Sequence, residues 1–229
     1  MKIVGLQKTS VIDYNPYVSC VIFLAGCNFR CGFCHNPDLV FGVETDGGYS
    51  VGEIIEFLEK RKIWLDAVCI TGGEPTINPE LVNFIRDIKF LDYKVKLDSN
   101  GTNPKMLRLL VEQGLVDYIA MDIKTNIDDY SVVTNSYVDV QNISESVGII
   151  MASGVDYEFR TTVVPGLHKE SDFVQIGKWL VGARLIVLQQ FRPTVCLNKK
   201  FEKVSPFSIA QLEAFKDVLS NYIKDVQVR

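Results

Sequence analysis

The sequence predicts an α/β fold, an incomplete (β/α)6 TIM-like barrel, from three observations. Six apolar, β-rich runs alternate with amphipathic stretches along the chain. The runs are apolar throughout, as in parallel strands covered by helices. The units recur every ~25–40 residues, and a complete eightfold barrel usually takes about 250 residues, while this chain has 229. Six units in that length leave the barrel open. No linker, low-complexity tract or charge run divides the chain, so residues 1–229 read as one domain, with 1–17 as an N-terminal extension.

The elements follow in order. Val18–Ala25 is the first strand. Ser50–Lys62 places Val51, Ile54, Ile55 and Leu58 on one helical face, and Ser50 with Glu53 forms a capping box. Ala67–Thr71 is the second strand, ended by Gly72-Gly73. Asn78-Pro79 opens a helix that runs to about Phe90. Tyr93–Asp98 is the third strand. Asn103-Pro104 opens a helix that stops near Gly114. Val116–Ile123 is the fourth strand, Val140–Ser153 a helix, and Tyr157–Val164 the fifth strand. Ser171–Val181 is helical, Arg184–Phe191 the sixth strand, and Ser208–Ile223 the last helix. The stretch Tyr130–Asp139 shows no periodicity and predicts no element.

Composition excludes several functions. Lys plus Arg number 24 against 28 Asp plus Glu, a net charge of −4, so no basic excess points to nucleic acid or an anionic membrane. The longest apolar stretch, near Val18–Cys27, falls far short of the ~18–20 residues that span a bilayer. The N-terminus carries Gln7 and Lys8 where a secretory signal would be apolar. A cytoplasmic protein is expected.

In either a barrel or a doubly wound sheet, chemistry sits at the carboxyl ends of parallel strands. Those ends here are rich in polar residues. They include Cys27 to Pro37, Thr71 to Thr76, Asp98-Ser99-Asn100-Gly101, Asp122-Ile123-Lys124, Arg160 with Val163 to Gly166, and Gln189 to Pro193. The sequence predicts that they face one cavity. Cys27, Cys31 and Cys34 supply three thiolates from one loop, in a Cys-x3-Cys-x2-Cys pattern. In a reducing compartment such a cluster reads as a metal or iron–sulfur site. Structural zinc wants four ligands, and His35 would have to strain to reach the ion that binds Cys34. Three thiolates on an iron–sulfur cluster leave one iron open to a small molecule. Cys20 and Cys69 read as buried small hydrophobes, and Cys196 as an ordinary loop thiol. His168 reads as a solvated loop residue, and Trp64 and Trp179 as packing residues at helix ends.

This cysteine pattern after the first strand, with Gly72-Gly73-Glu74 after the second, resembles the radical S-adenosylmethionine (radical SAM) superfamily. The resemblance implies the radical SAM type of open barrel. It implies that Cys27, Cys31 and Cys34 hold a 4Fe–4S cluster whose fourth iron chelates SAM, and that one electron splits the C5′–S bond to give a 5′-deoxyadenosyl radical. Phe33 matches the aromatic residue that packs near the adenine. Gly72-Gly73-Glu74 matches the segment that receives the SAM ammonium, where glycines admit close backbone approach and a carboxylate compensates a cation.

Cys34-His35-Asn36-Pro37, Asp98-Ser99-Asn100-Gly101 and Asp122-Ile123-Lys124 are similar to activating enzymes of glycyl-radical enzymes. Leu6 to Ser10, Phe159 to Gly166 and Leu188 to Pro193 are most similar to the anaerobic ribonucleoside-triphosphate reductase activating proteins. That resemblance implies a glycyl-radical enzyme, an anaerobic ribonucleoside-triphosphate reductase, as partner, and flavodoxin or ferredoxin as electron donor. It implies that Asp98, Lys124 and Arg192 line the cavity beside His35 and Arg160. Lys124 and Arg192 would pair with the SAM carboxylate or the substrate backbone. Asp98, Ser99, Asp122 and the Ala120 carbonyl fall where the pyruvate formate-lyase activator has a monovalent cation site; the alternative is that the two aspartates cap loops or pair with Lys124. The chain departs from the subfamily at Asp13-Tyr14-Asn15-Pro16-Tyr17, where Asp-Tyr-Pro-Gly is usual. Arg192 stands where the formate-lyase activator has His, which favours the reductase branch. Three alternatives remain at this level: activation of a formate-lyase-type enzyme, radical chemistry on a small molecule, and a non-enzymatic zinc- or cluster-binding module.

Overall fold

The computed structural model describes residues 1–42 and 47–229. Among these residues eight strands form one sheet: Ile3–Ser10 (β1), Ser19–Leu24 (β2), Ala67–Gly72 (β3), Lys94–Ser99 (β4), Tyr118–Asp122 (β5), Asp156–Val163 (β6), Leu185–Gln190 (β7) and Asp225–Val228 (β8). They neighbour one another in chain order. β1 pairs with β2 antiparallel, and every later pair is parallel. A doubly wound sheet reverses its strand order at a switch point. This order never reverses, so crossovers of one hand put the helices on one face. Among the described residues no pairing joins β1 to β8, which leaves the barrel open.

Among the described residues eight α-helices connect the strands: Pro37–Phe41 (α1), Val51–Arg61 (α2), Leu81–Phe90 (α3), Pro104–Glu112 (α4), Tyr130–Thr134 (α5), Val140–Ala152 (α6), Glu170–Trp179 (α7) and Ile209–Leu219 (α8). Local chemistry sets their starts. Ser50 and Glu53 form the expected capping box of α2, Asn103 accepts from the Met106 N–H at the start of α4, and Ser208 with Gln211 boxes α8. Gly114, at φ +63°, follows α4 in the left-handed region.

The core lies between sheet and helices. Ile22, Ile70, Leu97, Ile119, Phe159 and Leu188 from six strands pack in one cluster with Leu58, Ile85, Leu107, Ile143, Ile176 and Leu212 from six helices, all fully buried. Burying each such side chain contributes roughly 1.5–3 kcal/mol.

The six predicted strands are β2 to β7, but the sheet has two more. Residues 1–17 are not an appendage throughout, because Ile3–Ser10 is paired along β2. β8 pairs with β7. Both were missed because an edge strand is short or half exposed and lacks a continuous apolar run. The helix expected from Asn78-Pro79 begins at Leu81. A 3-10 turn at Pro75–Ile77 precedes it, and the Asn78 amide donates back to the Pro75 carbonyl at 3.1 Å instead of capping forward. Tyr130–Asp139 contains α5, a helix too short for a periodic signal, ended by Asn135 at φ 48°. Among the described residues no helix is long and apolar enough to cross a membrane.

Candidate active site

Alternate residues of a strand face the same side. On the side away from the helices, β5 presents Tyr118 and Asp122, β6 presents Glu158, Arg160 and Thr162, and β4 presents Lys96 and Asp98. These residues link two cavities at opposite ends of the strands. Lys96, Tyr118 and Glu158 line one at the amino ends, with Tyr14 and Asn15. Asp122, Arg160, Thr162 and Gln189 line the other, of about 280 Å³, at the carboxyl ends. The three motif thiols Cys27, Cys31 and Cys34 line that second cavity with Phe29, Phe33, His35, Gly72, Gly73 and Lys124.

The cysteine loop is held from several sides. The Gly26 N–H donates to Leu39 O at 2.7 Å, and the Cys27 N–H to Val40 O at 3.2 Å. The Arg30 N–H donates to Thr134 O of α5 at 3.0 Å, and its guanidinium to Cys27 O at 2.5 Å. The Asn28 carboxamide accepts from Asn100 and donates to Thr102, both at 2.8 Å, which ties the loop to the end of β4. The Phe29 N–H donates to the Cys27 sulfur at 3.4 Å. The end of β3 lies against the loop, with the Glu74 N–H donating to Gly26 O at 2.8 Å. Gly72 sits at φ +122° with Leu24 backbone beside it, a position only glycine fills without strain.

Burial pushes the Cys31 thiol up to about 11, with Lys124 opposing the shift. Burial also raises Cys27, against the Phe29 N–H. Lys124 donates to Asp122 at 2.8 Å, and Asp122 accepts from Arg160 Nε at 2.9 Å. Arg160 Nη1 reaches Asp98 at 3.2 Å, and Lys96 pairs with the other Asp98 oxygen at 3.0 Å. Lys96, Asp98, Arg160, Asp122 and Lys124 thus form one alternating ladder. Burial alone would raise Asp122, but Arg160 and then Lys124 hold it well below the usual carboxylate range. Burial would lower Lys124, but Asp122 reverses this and keeps the ammonium charged.

The expected residues do not all converge. Asp98 pairs with Lys96 and Arg160, and Asp122 with Lys124 and Arg160. Pairing, the alternative reading, describes these aspartates. Ser99 is buried behind the cavity and donates to Glu74 at 2.9 Å. The Glu74 carboxylate is 1% exposed and also accepts from the Thr76 N–H, the Thr76 hydroxyl and the Asn100 N–H. Burial raises its pKa against those bonds. Glu74 therefore organises the strand ends and does not present its charge to the cavity; the glycines before it do line the wall. Arg192 is exposed and does not line the cavity. His35 does, with its ring stacked on Phe191 at 5.7 Å.

Other residues at the site were missed or misread. His168, expected in solvent, is buried. Its Nδ1 accepts from the Val164 N–H at 2.9 Å, and its Nε2 lies 2.8 Å from the Lys124 carbonyl. Tyr130 accepts from the Lys124 N–H at 3.2 Å and donates to Asp122 O at 3.3 Å. Lys124 is thereby held at both ends of its backbone. Lys96 carried no motif signal. His168 is four residues after Val164 in a Pro-Gly turn, and that spacing was the only trace of its role. Trp179 packs edge-on to Tyr130, but Trp64 is mostly exposed, with Arg61 over its ring. Cys196 is buried in its loop.

The donor set suits a thiolate-ligated cluster: three sulfurs on one wall, with a fixed ammonium to balance their charge. Among the described residues no group of three or more His, Cys, Asp or Glu side chains converges as a mononuclear metal site.

The family described as the Radical SAM superfamily matches over residues 21–180. A protein of Methanocaldococcus jannaschii, named for glycyl-radical enzyme activation, is 33% identical over 98% of this chain and 94% of its own. The pyruvate formate-lyase-activating enzyme of Clostridium pasteurianum is 23% identical over 98% of each chain. Among solved structures, Streptococcus suis SuiB bound to its precursor peptide SuiA superposes with a TM-score of 0.68 at 14% identity, over 90% of this chain and 48% of that one. This chain thus spans about half the length of SuiB. A domain of a pyruvate-formate lyase-activating enzyme from Bacteroides vulgatus superposes with a TM-score of 0.58 at 13% identity, over 71% of this chain and 98% of that one. At these identities the solved structures share the fold.

Proposed function

Because the chain belongs to the radical SAM superfamily, and its M. jannaschii relative is named for glycyl-radical enzyme activation, we propose that it activates an anaerobic ribonucleoside-triphosphate reductase by abstracting hydrogen from a backbone glycine of that partner. The observation that carries the reading is the convergence of Cys27, Cys31, Cys34 and Lys124 on one cavity at the carboxyl ends of the strands. A 4Fe–4S cluster and SAM, when bound, supply the one-electron cleavage of a sulfonium and a 5′-deoxyadenosyl radical. The three cysteines hold that cluster. Phe33 and His35 wall the space beside it, and the Gly72-Gly73 backbone lets the SAM ammonium approach closely. Lys124, kept charged by Asp122, faces the SAM carboxylate or the substrate backbone. Arg160 and Asp98 act by fixing Asp122. The open edge of the barrel leaves room for a protein loop to reach the cavity. Flavodoxin or ferredoxin delivers the electron.

Anaerobic reconstitution with iron and sulfide, followed by SAM and dithionite, should release 5′-deoxyadenosine. Incubation with the reductase should then give a glycyl EPR doublet on the partner. No deoxyadenosine would reject the chemistry, and no doublet with any reductase would reject the partner. A second reading, activation of a formate-lyase-type enzyme, is favoured by the similarity to the C. pasteurianum protein over nearly its whole length. A doublet on formate lyase alone would select it.

A further inference from the structure

The ladder through the barrel carries an odd charge. Lys96, Arg160 and Lys124 are three cations against the two carboxylates of Asp98 and Asp122, so one positive charge is left over. Both ends are ammonium groups. Lys124 lines the thiol cavity, and Lys96 lines the cavity of about 440 Å³ at the amino ends of the strands. The Lys96 and Arg160 side chains are 7% and 14% exposed, so solvent screens the ladder weakly.

Among the described residues Lys96 has no substitute at its end. The other cation on that cavity, Arg229, is paired with Glu158 at 3.3 Å. Lys96 meets one Asp98 oxygen at 3.0 Å while Arg160 Nη1 meets the other at 3.2 Å. Burial alone would raise Asp98, but Arg160 and then Lys96 hold it below the usual carboxylate range. Without Lys96, the whole demand of Asp98 would fall on Arg160. The guanidinium also donates from Nε to Asp122 at 2.9 Å, and a shift toward Asp98 weakens that bond. Asp122 would then draw on Lys124, its remaining partner at 2.8 Å. The charge count moves the same way. Two cations against two carboxylates leave nothing over for an anionic group in the thiol cavity.

Resting on the proposed radical SAM reading, we propose that Lys96 is a positioning residue for SAM. From the amino-end cavity it holds Asp98, which keeps Arg160 on Asp122 and leaves the Lys124 ammonium to the ligand's carboxylate. Lys96 does not line the thiol cavity and acts through three intervening side chains. Its effect is one of charge and not of volume, and charges act along such a chain because the effective dielectric inside a protein is well below that of water. Exposed Val11 and Ile12 also line the amino-end cavity, which gives small solutes access to Lys96 from outside.

SAM affinity is measured by equilibrium dialysis on the reconstituted full chain. Lys96→Met should bind SAM about tenfold more weakly than the wild type or worse, with iron per chain unchanged. Lys94→Met removes the same charge from the exposed start of β4 and should bind as the wild type does. Lys96→Ala should also bind weakly. At constant ionic strength it should regain affinity in propylammonium chloride but not in propanol, which has the same reach without the charge. A second measurement needs neither cluster nor SAM. In urea titrations of the apoprotein, Lys96→Met combined with Lys124→Met should lower the midpoint by more than the two single shifts together. Each single variant lets Arg160 lean toward the orphaned carboxylate, whereas the double variant asks it to serve both. Unchanged SAM affinity in Lys96→Met, an equal loss in Lys94→Met, rescue by propanol or by neither solute, loss of iron in step with SAM, or additive midpoint shifts would each overturn the proposal. A wild type that binds no SAM while the midpoint shifts stay non-additive would instead overturn the functional reading beneath it.

Discussion

Gly73 lies so close to Gly26 that a β-carbon on Gly73 would stand 2.0 Å from the Gly26 carbonyl oxygen. The end of β3 and the first residue of the turn into Cys27 are thus in backbone contact, and the adjacent Glu74 N–H bonds that same oxygen. Gly73→Ala should force the two segments apart. A stability loss of about 1–3 kcal/mol is expected, since overpacking a rigid backbone contact costs that much or more. Iron bound per chain after reconstitution should fall with it. Thermal denaturation and iron analysis measure the two effects, and an alanine variant with wild-type values in both would contradict the contact.

Cys31→Ala should bind substantially less iron and sulfide than the wild type, whereas Cys69→Ala and Cys196→Ala should bind as much. Cys69 is buried on the inner face of β3, outside the thiol cavity, and Cys196 sits in the loop after β7. Iron retention by the Cys31 variant would remove the basis for assigning the trio.

Arg160→Met should leave Asp98 and Asp122 facing each other without their shared cation. Breaking a buried pair from one side typically costs about 3–5 kcal/mol. Asp98→Asn added to Arg160→Met should recover part of that loss, because only one carboxylate then needs a partner. Denaturant titration of the single and double variants measures this, and a double variant less stable than the single would contradict the ladder.

Burial lowers the pKa of His168, against hydrogen bonds to Lys124 and Val164. A group whose folded pKa is depressed contributes stability that is complete above its unfolded value, 6.5 here, and lost as pH falls through the folded one. Protonating Nδ1 also removes the acceptor of the Val164 N–H. Wild-type stability should decline as pH drops below 6.5, and His168→Gln, about 1–3 kcal/mol less stable at pH 8, should decline less steeply. Parallel stability curves would show that His168 does not titrate with folding.

Glu74→Gln should act on stability and not on charge at the cavity. Its carboxylate accepts four hydrogen bonds from the ends of β3 and β4. A carboxamide cannot accept them all, so a loss of about 1–3 kcal/mol is expected. SAM affinity by equilibrium dialysis should change less than tenfold. A far larger loss of affinity with unchanged stability would return Glu74 to the cavity wall.

What was legible in the sequence follows from what each signal measures. Apolar residues located β2 to β7, in continuous runs at β2, β3 and β7 and at alternate positions in β4 and β6, and the lack of either pattern hid β1 and β8 at the edges. Cap residues located helix starts well at Ser50, Asn103 and Ser208. The signal failed at Asn78, where the side chain donates backward. The cysteines were legible because their spacing is local. Arg160 and Asp122 lie on strand ends and were found, but their mutual pairing was not, since it depends on register between β5 and β6. Glu74 was placed at the right strand end with the wrong orientation, because a motif does not say which way a carboxylate turns. His168 and Tyr130 act through the Lys124 backbone, and no residue pattern announces a bond to a main-chain atom.

The central strands β4, β5 and β6 keep two unlike populations of side chains on their two sides. Apolar groups on one side hold the molecule together, and ionised groups on the other meet whatever comes into the barrel. Selection can therefore rewrite the inward-facing positions, and with them the choice of target, only in combinations that keep those buried charges paired.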